Sequence, residues 1–154
     1  MSTIDKAQEY QTLALQVENL IKGIDNRVGG LCNVLAALKE AFPYYFWVGV
    51  YIVRESNLVL GPFQGSVACY TIAKGQGVCG SSWAEGRPII VPDVHQFLGH
   101  IACSSLSNSE IVVPVWRGER IIAVLDVDST EFDSFDENDE RGLEQIAKII
   151  EPLL

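Results

Sequence analysis

Three of the four cysteines fall inside one stretch, CYTIAKGQGVCGSSWAEGRPIIVPDVHQFLGHIAC, at Cys69, Cys79 and Cys103. Their spacings of ten and twenty-four residues fit no zinc knuckle, which is built from close cysteine pairs. Cys79 lies between Gly-Gln-Gly and Gly-Ser-Ser, and Cys103 lies between Gly-His-Ile-Ala and Ser-Ser-Leu-Ser-Asn. Thiols in segments of this composition are reachable by solvent and by each other. The chemistry they offer is thiol oxidation and disulfide exchange.

A second group of reactive side chains is acidic. In IIAVLDVDS the strand period of two puts Asp126 and Asp128 on one face with Ile122 and Val124, while Ile121, Ala123, Leu125 and Val127 face a core. Buried aspartates are costly unless partnered, so packing alone does not explain two on one face. Pairing of the preceding strand about Gly118 brings Glu110 opposite residues 126–128. Three acids around one pocket raise one another's pKa values, and a carboxyl kept protonated can deliver a proton to a reacting oxygen. His95 and His100 flank the loop before Cys103 and read as solvated loop histidines.

The elements that must hold these groups follow from periodicity. Apolar residues at spacings of three and four (Ala7, Tyr10, Leu13, Val17, Leu20, Ile24) predict a helix over residues 3–24. A second helix runs from Arg27 to Ala41 with Val28, Leu31, Leu35 and Leu38 inward, and Pro43 follows it. Cys32, beside that stripe, reads as a small packed hydrophobe. Residues 45–53, rich in aromatic and β-branched types, form a strand with Phe46, Val48, Val50 and Ile52 in the core. Its other face carries Trp47, Gly49 and Tyr51, two large aromatics around a recess.

Strands follow at 58–63 and 67–72, the latter containing Cys69, then a short helix from Val78 to Glu85 and a short strand at 88–91. Residues 93–108 make a long loop, and structured loops of that length tend to be functional. A hairpin joins strands 109–116 and 120–128, and a final helix opens at Asp136 with Leu143, Ile146, Ala147, Ile150 and Leu153 inward. The class is α+β: a largely antiparallel six-stranded sheet, the N- and C-terminal helices on one face, a ligand pocket on the other.

At 154 residues the chain is long enough for one domain with a real core, taken here as residues 1–154. Its net charge of −9 disfavours nucleic acid and anionic membrane as partners. The first twenty residues lack a signal-peptide core, and no apolar run reaches the length of a membrane span. The expected compartment is the cytoplasm, where paired thiols are more often catalytic or redox-sensing than structural.

The run GQGVCGSSWAEGRPIIVPDVHQFLGHIACSSLSNSEIVVPV, followed by IAVLDVDS, resembles the free methionine-(R)-sulfoxide reductase family, built on a GAF domain. The resemblance covers nearly the whole chain, and its three-cysteine arrangement is much more specific than the general GAF features. It implies that Cys103 attacks the sulfoxide sulfur and that Cys69 is the resolving thiol, with Cys79 the family's third cysteine. The division of roles among these thiols stays open. It also implies that Glu110, Asp126 and Asp128 hold the sulfoxide oxygen and the amino group, with Trp47 and Tyr51 as an aromatic wall and Trp47 beside the methyl group. Cys32 has no counterpart and should be dispensable. Thioredoxin as reductant, a homodimer, the preference for the R epimer, and no requirement for a metal or organic cofactor are further implications. The rival readings are a ligand-binding GAF module, a thiol redox sensor without turnover, and an interaction domain. None of them accounts for the cysteines, the acids and the aromatics together.

Overall fold

A computed structural model describes residues 5–101 and 103–154. Two helices come first, α1 (Lys6–Ile21) and α2 (Arg27–Ala41), capped by the side chains of Asp5 and Asn26. The predicted start of the first helix at residue 3 lies outside the described residues. Its predicted end at residue 24 is too late: the helix stops at Ile21, and Gly23 then takes a positive φ of 73°. The strands are β1 (Trp47–Arg54), β2 (Asn57–Gln64), β3 (Thr71–Ala73), β4 (Ile89–Val91), β5 (Ser109–Arg117) and β6 (Arg120–Ser129). Between β3 and β4 lies α3 (Gly77–Glu85), and α4 (Glu137–Ile150) closes the fold behind an Asp136–Asp139 capping box.

The strands form one sheet in the order β3-β2-β1-β6-β5-β4, and every neighbouring pair is antiparallel. Helices α1, α2 and α4 cover one face over a core that includes Val17, Leu35, Val50, Leu125 and Ile146. A smaller apolar cluster on the opposite face gathers Trp47, Tyr51, Cys79, Trp83, Val112 and Val124 beneath α3. The expected class is therefore the observed one.

Three local expectations change. Val28, Leu20 and Ile24 are exposed, and Val34 and Ala37 take the core side of α2 instead. Phe46 packs with the pocket-side cluster rather than the helix-side core. Ile121 and Ile122 exchange faces, because the β5–β6 register slips between Val115 and Trp116. A bulge inverts the side-chain alternation on one side of it. Asp126 and Asp128 lie beyond the bulge and keep the faces that alternation assigns them.

Candidate active site

The three acids reach one place because two strand pairings align them. Glu110 of β5 stands directly across from Asp128 of β6, and Trp47 of β1 is the neighbour of Asp128 on its other side. One row further along, Asp126 lies between Gly49 and Val112. Directly paired residues on one face have Cβ atoms about 5 Å apart, so these carboxyls share one pocket floor. Asp128 lies within the span 126–128 that pairing about Gly118 places opposite Glu110, two residues past strict symmetry because the turn pairs Arg117 with Arg120 and the register slips between Val115 and Trp116. The positive φ of Gly118 (63°) permits that tight turn.

The recess expected over Gly49 is filled. A methyl group at Gly49 would sit 2.5 Å from Phe63 Cβ and 2.5 Å from Trp47 Cη2, so the indole itself occupies the space. Trp47 stacks between Phe63 and Tyr51, with ring centroids at 5.2 and 6.0 Å. The missing Cβ lets the indole lie flat as a wall instead of standing into the cavity.

Cys69 is not on a strand. The strand expected over 67–72 is only Thr71–Ala73, paired with β2 at Asn57–Val59. Val67 and Tyr70 are largely exposed, so this stretch has no apolar face to bury against the sheet. It instead forms a loop across the pocket mouth, held by the polar tips of the two aromatics. Trp47 Nε1 donates to the Ser66 carbonyl at 3.0 Å, and the Tyr51 hydroxyl donates to the Cys69 carbonyl at 3.0 Å.

Cys103 comes from the long loop between β4 and β5, whose ends are tied down. Val94 N donates to Asn108 O, Asn108 N donates to Ser129 O, and the Asn108 side chain donates to Thr130 O. Cys69 and Cys103 are joined by a disulfide with Cα atoms 5.4 Å apart. Both cysteines are half-buried, and Cys103 lines the pocket. Cys79, in the first turn of α3, is a buried free thiol, and Cys32 is a half-buried free thiol on α2, away from the pocket.

The cavity lining includes Trp47, Tyr51, Cys79, Cys103, Glu110, Asp126 and Asp128. Together with Cys69, which the disulfide ties to Cys103, these are the site residues that the sequence singles out. Glu110 and Asp126 are buried; Asp128 is partly open by surface area yet closely surrounded by protein. Burial drives the pKa of Glu110 well above the usual carboxylate value, and the Asp126 and Asp128 charges add to the rise. Asp128 is likewise raised well above its ordinary value, by burial and then by Asp126, against the opposing effect of the Ser107 hydroxyl. Asp126 is raised by burial, with Glu110 and Cys79 pulling the other way. The Cys79 thiol is pushed well up by burial and then by the three acids.

One atom stands out. Asp126 Oδ1 is buried and has no hydrogen-bond partner among the described residues. An orphaned carboxylate oxygen facing a cavity is a seat for a donor that arrives with a ligand. The ligand atoms of Cys79, Glu110 and Asp126 all lie within 4.8 Å of one another, a set that could surround a cation. Burial favours the protonated forms of all three, so a metal would have to displace those protons.

His100 is not the solvated loop residue that its sequence setting suggests. Its ring lines the cavity with Nε2 3.9 Å from Glu110 Oε1, and burial, then His95, lowers its pKa. The available signal was its position three residues before Cys103, which periodicity cannot weigh because the segment is a loop. His95 is exposed and bonds Asp93 at 2.8 Å, as a turn residue would.

The chain matches the GAF domain family over residues 32–154. It is 54% identical over 147 residues to GAF domain-containing protein A of Dictyostelium discoideum, covering 95% of this chain and 92% of that protein. It is 42% identical over 151 residues to the free methionine-R-sulfoxide reductase of Escherichia coli, covering 98% and 92%. Among solved structures, the free methionine-R-sulfoxide reductase from Neisseria meningitidis in complex with its substrate superimposes with a TM-score of 0.93. That protein is 47% identical, with 99% of this chain and 92% of the other covered.

Proposed function

The chain belongs to the GAF-type free methionine-R-sulfoxide reductase family, and from that membership and the pocket geometry we propose that it reduces free methionine-(R)-sulfoxide to methionine with its own thiols. The observation that carries the reading is a disulfide, Cys69–Cys103, at the edge of a cavity floored by three acids and walled by aromatics.

In this reading the reduced Cys103 thiolate attacks the sulfoxide sulfur while a protonated carboxyl, Glu110 or Asp128, gives its proton to the oxygen. The oxygen passes to Cys103 as a sulfenic acid and methionine leaves. Cys69 then attacks the Cys103 sulfur, water departs, and the disulfide forms. Per turnover one sulfoxide loses its oxygen and two thiols become one disulfide. The loop geometry supports Cys69 as the resolving thiol. Cys79, a buried free thiol beside the acids, is the remaining candidate thiol.

Asp126, whose Oδ1 has no hydrogen-bond partner among the described residues, receives the substrate ammonium, a group that a methionine inside a peptide does not have. The N-terminus of α3 borders the same cavity through Gln76 and Gly77, and its positive end suits the free carboxylate. Trp47 and Tyr51 flank the methylthio end. A thioredoxin-type dithiol reopens the disulfide. A homodimer gives a cover to the apolar side chains Leu15, Leu20, Ile24 and Val28, which α1, the α1–α2 connection and the start of α2 leave exposed. Residues 1–154 act as one domain in the cytoplasm. No helix among the described residues is long and apolar enough to cross a membrane.

The test is turnover of free R and S methionine sulfoxide, offered separately, by the wild type and by Cys103→Ser, Cys69→Ser, Cys79→Ser and Cys32→Ser. The expected result is R-specific turnover abolished by Cys103→Ser, and a single stoichiometric turnover without recycling in Cys69→Ser. Cys32→Ser keeps full activity. Turnover surviving in Cys103→Ser would refute the assignment.

A further inference from the structure

Apolar side chains close in sequence to both disulfide cysteines are left in solvent by the fold. Val67 and Tyr70 flank Cys69 and are 83% and 80% exposed; Leu98 and Leu106 stand five and three residues from Cys103 and are 97% and 60% exposed. A chain advances at most ~3.6 Å per residue, so the Cα atoms of all four lie within about 18 Å of the cysteine that each accompanies. The two cysteine Cα atoms are themselves 5.4 Å apart. Single exposed hydrophobes are ordinary, but four within that reach of one reactive bond are a local concentration of them.

Charge marks the same segments. The chain has 11 Lys and Arg and 20 Asp and Glu, yet residues 56–73 and 94–109 contain none of these four types. Depletion of charge with retention of aromatic and aliphatic side chains is the composition of an interface core. On a molecule of net charge −9, an uncharged collar also lets an acidic protein approach without meeting like charge where the two surfaces touch.

We propose that Val67, Tyr70, Leu98 and Leu106 form the docking collar for a protein dithiol reductant. This rests on the reductase reading, in which the disulfide must be reopened every cycle. The reductant's first thiolate attacks one sulfur of Cys69–Cys103, forming a mixed disulfide and releasing the other cysteine as a thiolate that takes up a proton. The reductant's second thiol then attacks the mixed disulfide. It leaves as an oxidised disulfide, and two electrons and two protons have passed to this chain. A small thiol needs only access to the half-buried sulfurs, whereas a protein must seat a surface against them.

The experiment compares wild type with the double variant Leu98→Glu/Leu106→Glu and with the control Trp116→Glu on β5, none of these residues lining the cavity. Reopening of the oxidised Cys69–Cys103 bond is followed by thiol release, once with thioredoxin and once with dithiothreitol, with no sulfoxide present. The collar predicts that the double variant needs at least tenfold more thioredoxin for half-maximal rate, reacts with dithiothreitol as wild type does, and that the control changes neither. An unchanged thioredoxin dependence would overturn the proposal, as would equal slowing with both reductants. Because no sulfoxide is used, this result is independent of the reductase reading. If wild type reopens its disulfide normally but yields no methionine from the sulfoxide, that reading fails and the collar stands.

Discussion

Asp126 sets the tension at the residue scale. Its Oδ1 is buried with no partner among the described residues, so the free protein bears an unmet polar group that substrate binding would satisfy. A hydrogen bond to a charged group contributes roughly 1.5–3 kcal/mol, so Asp126→Asn should raise KM for free methionine sulfoxide by about 10- to 150-fold. The same variant should unfold at a temperature at least as high as wild type, because it removes a desolvated carboxylate from beside Glu110 and Asp128. A lower unfolding temperature with unchanged KM would mean that Asp126 serves the fold and not the ligand. The acids also fix a pH dependence. Glu110, Asp126 and Asp128 all have folded-state pKa values above their unfolded ones, chiefly through burial. Their contribution to stability is complete below the unfolded carboxylate pKa of about 4 and is lost as pH rises through the folded values. Wild type should therefore lose more thermal stability than Glu110→Gln between about pH 5 and pH 8. Identical slopes would contradict the raised pKa values. These acids were legible in the sequence because a strand of fixed period two exposes any polar residue on an apolar face. His100 was not, because a loop has no period against which to judge it.

At the scale of elements, packing between helices matters as much as the sheet. Gly142 on α4 lies against Tyr10 of α1, and a Cβ there would come 2.1 Å from the Tyr10 ring. The contact is backed by a buried network. Tyr10 and Tyr44 donate to Asp139 Oδ1 at 2.8 and 2.7 Å, and Lys6 Nζ donates to Asp139 Oδ2 at 2.7 Å. Gly142→Ala should thus destabilise the protein by about 1–3 kcal/mol in urea unfolding, even though alanine is the better helix former by roughly 1 kcal/mol. A stabilised variant would show that the helices separate at no cost. The helices, the central strands and the hairpin could all be read from periodicity, which needs only local sequence. The Lys6–Asp139 contact could not, since it joins residues 133 positions apart and neither is apolar. The strand expected around Cys69 failed for a related reason: VACYTI has strand composition, but its Val67 and Tyr70 find no surface to cover. Tertiary context decided between strand and loop.

For the molecule as a whole, the sheet divides labour between its faces. Helices α1, α2 and α4 bury the larger core against one face, leaving the other for a small apolar cluster, α3 and the cavity. The rigid strands carry the acids and aromatics, and the two thiols that must meet come from loops tied to that floor. This arrangement fits chemistry in which binding geometry stays fixed while the sulfur partners change. Length and alternation made the two-faced sheet readable, but the reaction itself became readable only through the three cysteines and the motif around them. The central claim is that one chain converts one free sulfoxide while closing its own disulfide. The direct measurement is to reduce the protein fully, remove the reductant, and add excess free R or S methionine sulfoxide. Methionine released and thiols lost per chain are then counted, with the disulfide located by peptide mapping. The account predicts one methionine and two thiols per chain with the R epimer, none with the S epimer, and Cys69–Cys103 as the bond formed. A fully reduced, folded protein that forms the disulfide without releasing methionine, or releases methionine while Cys103 stays a free thiol, would contradict it.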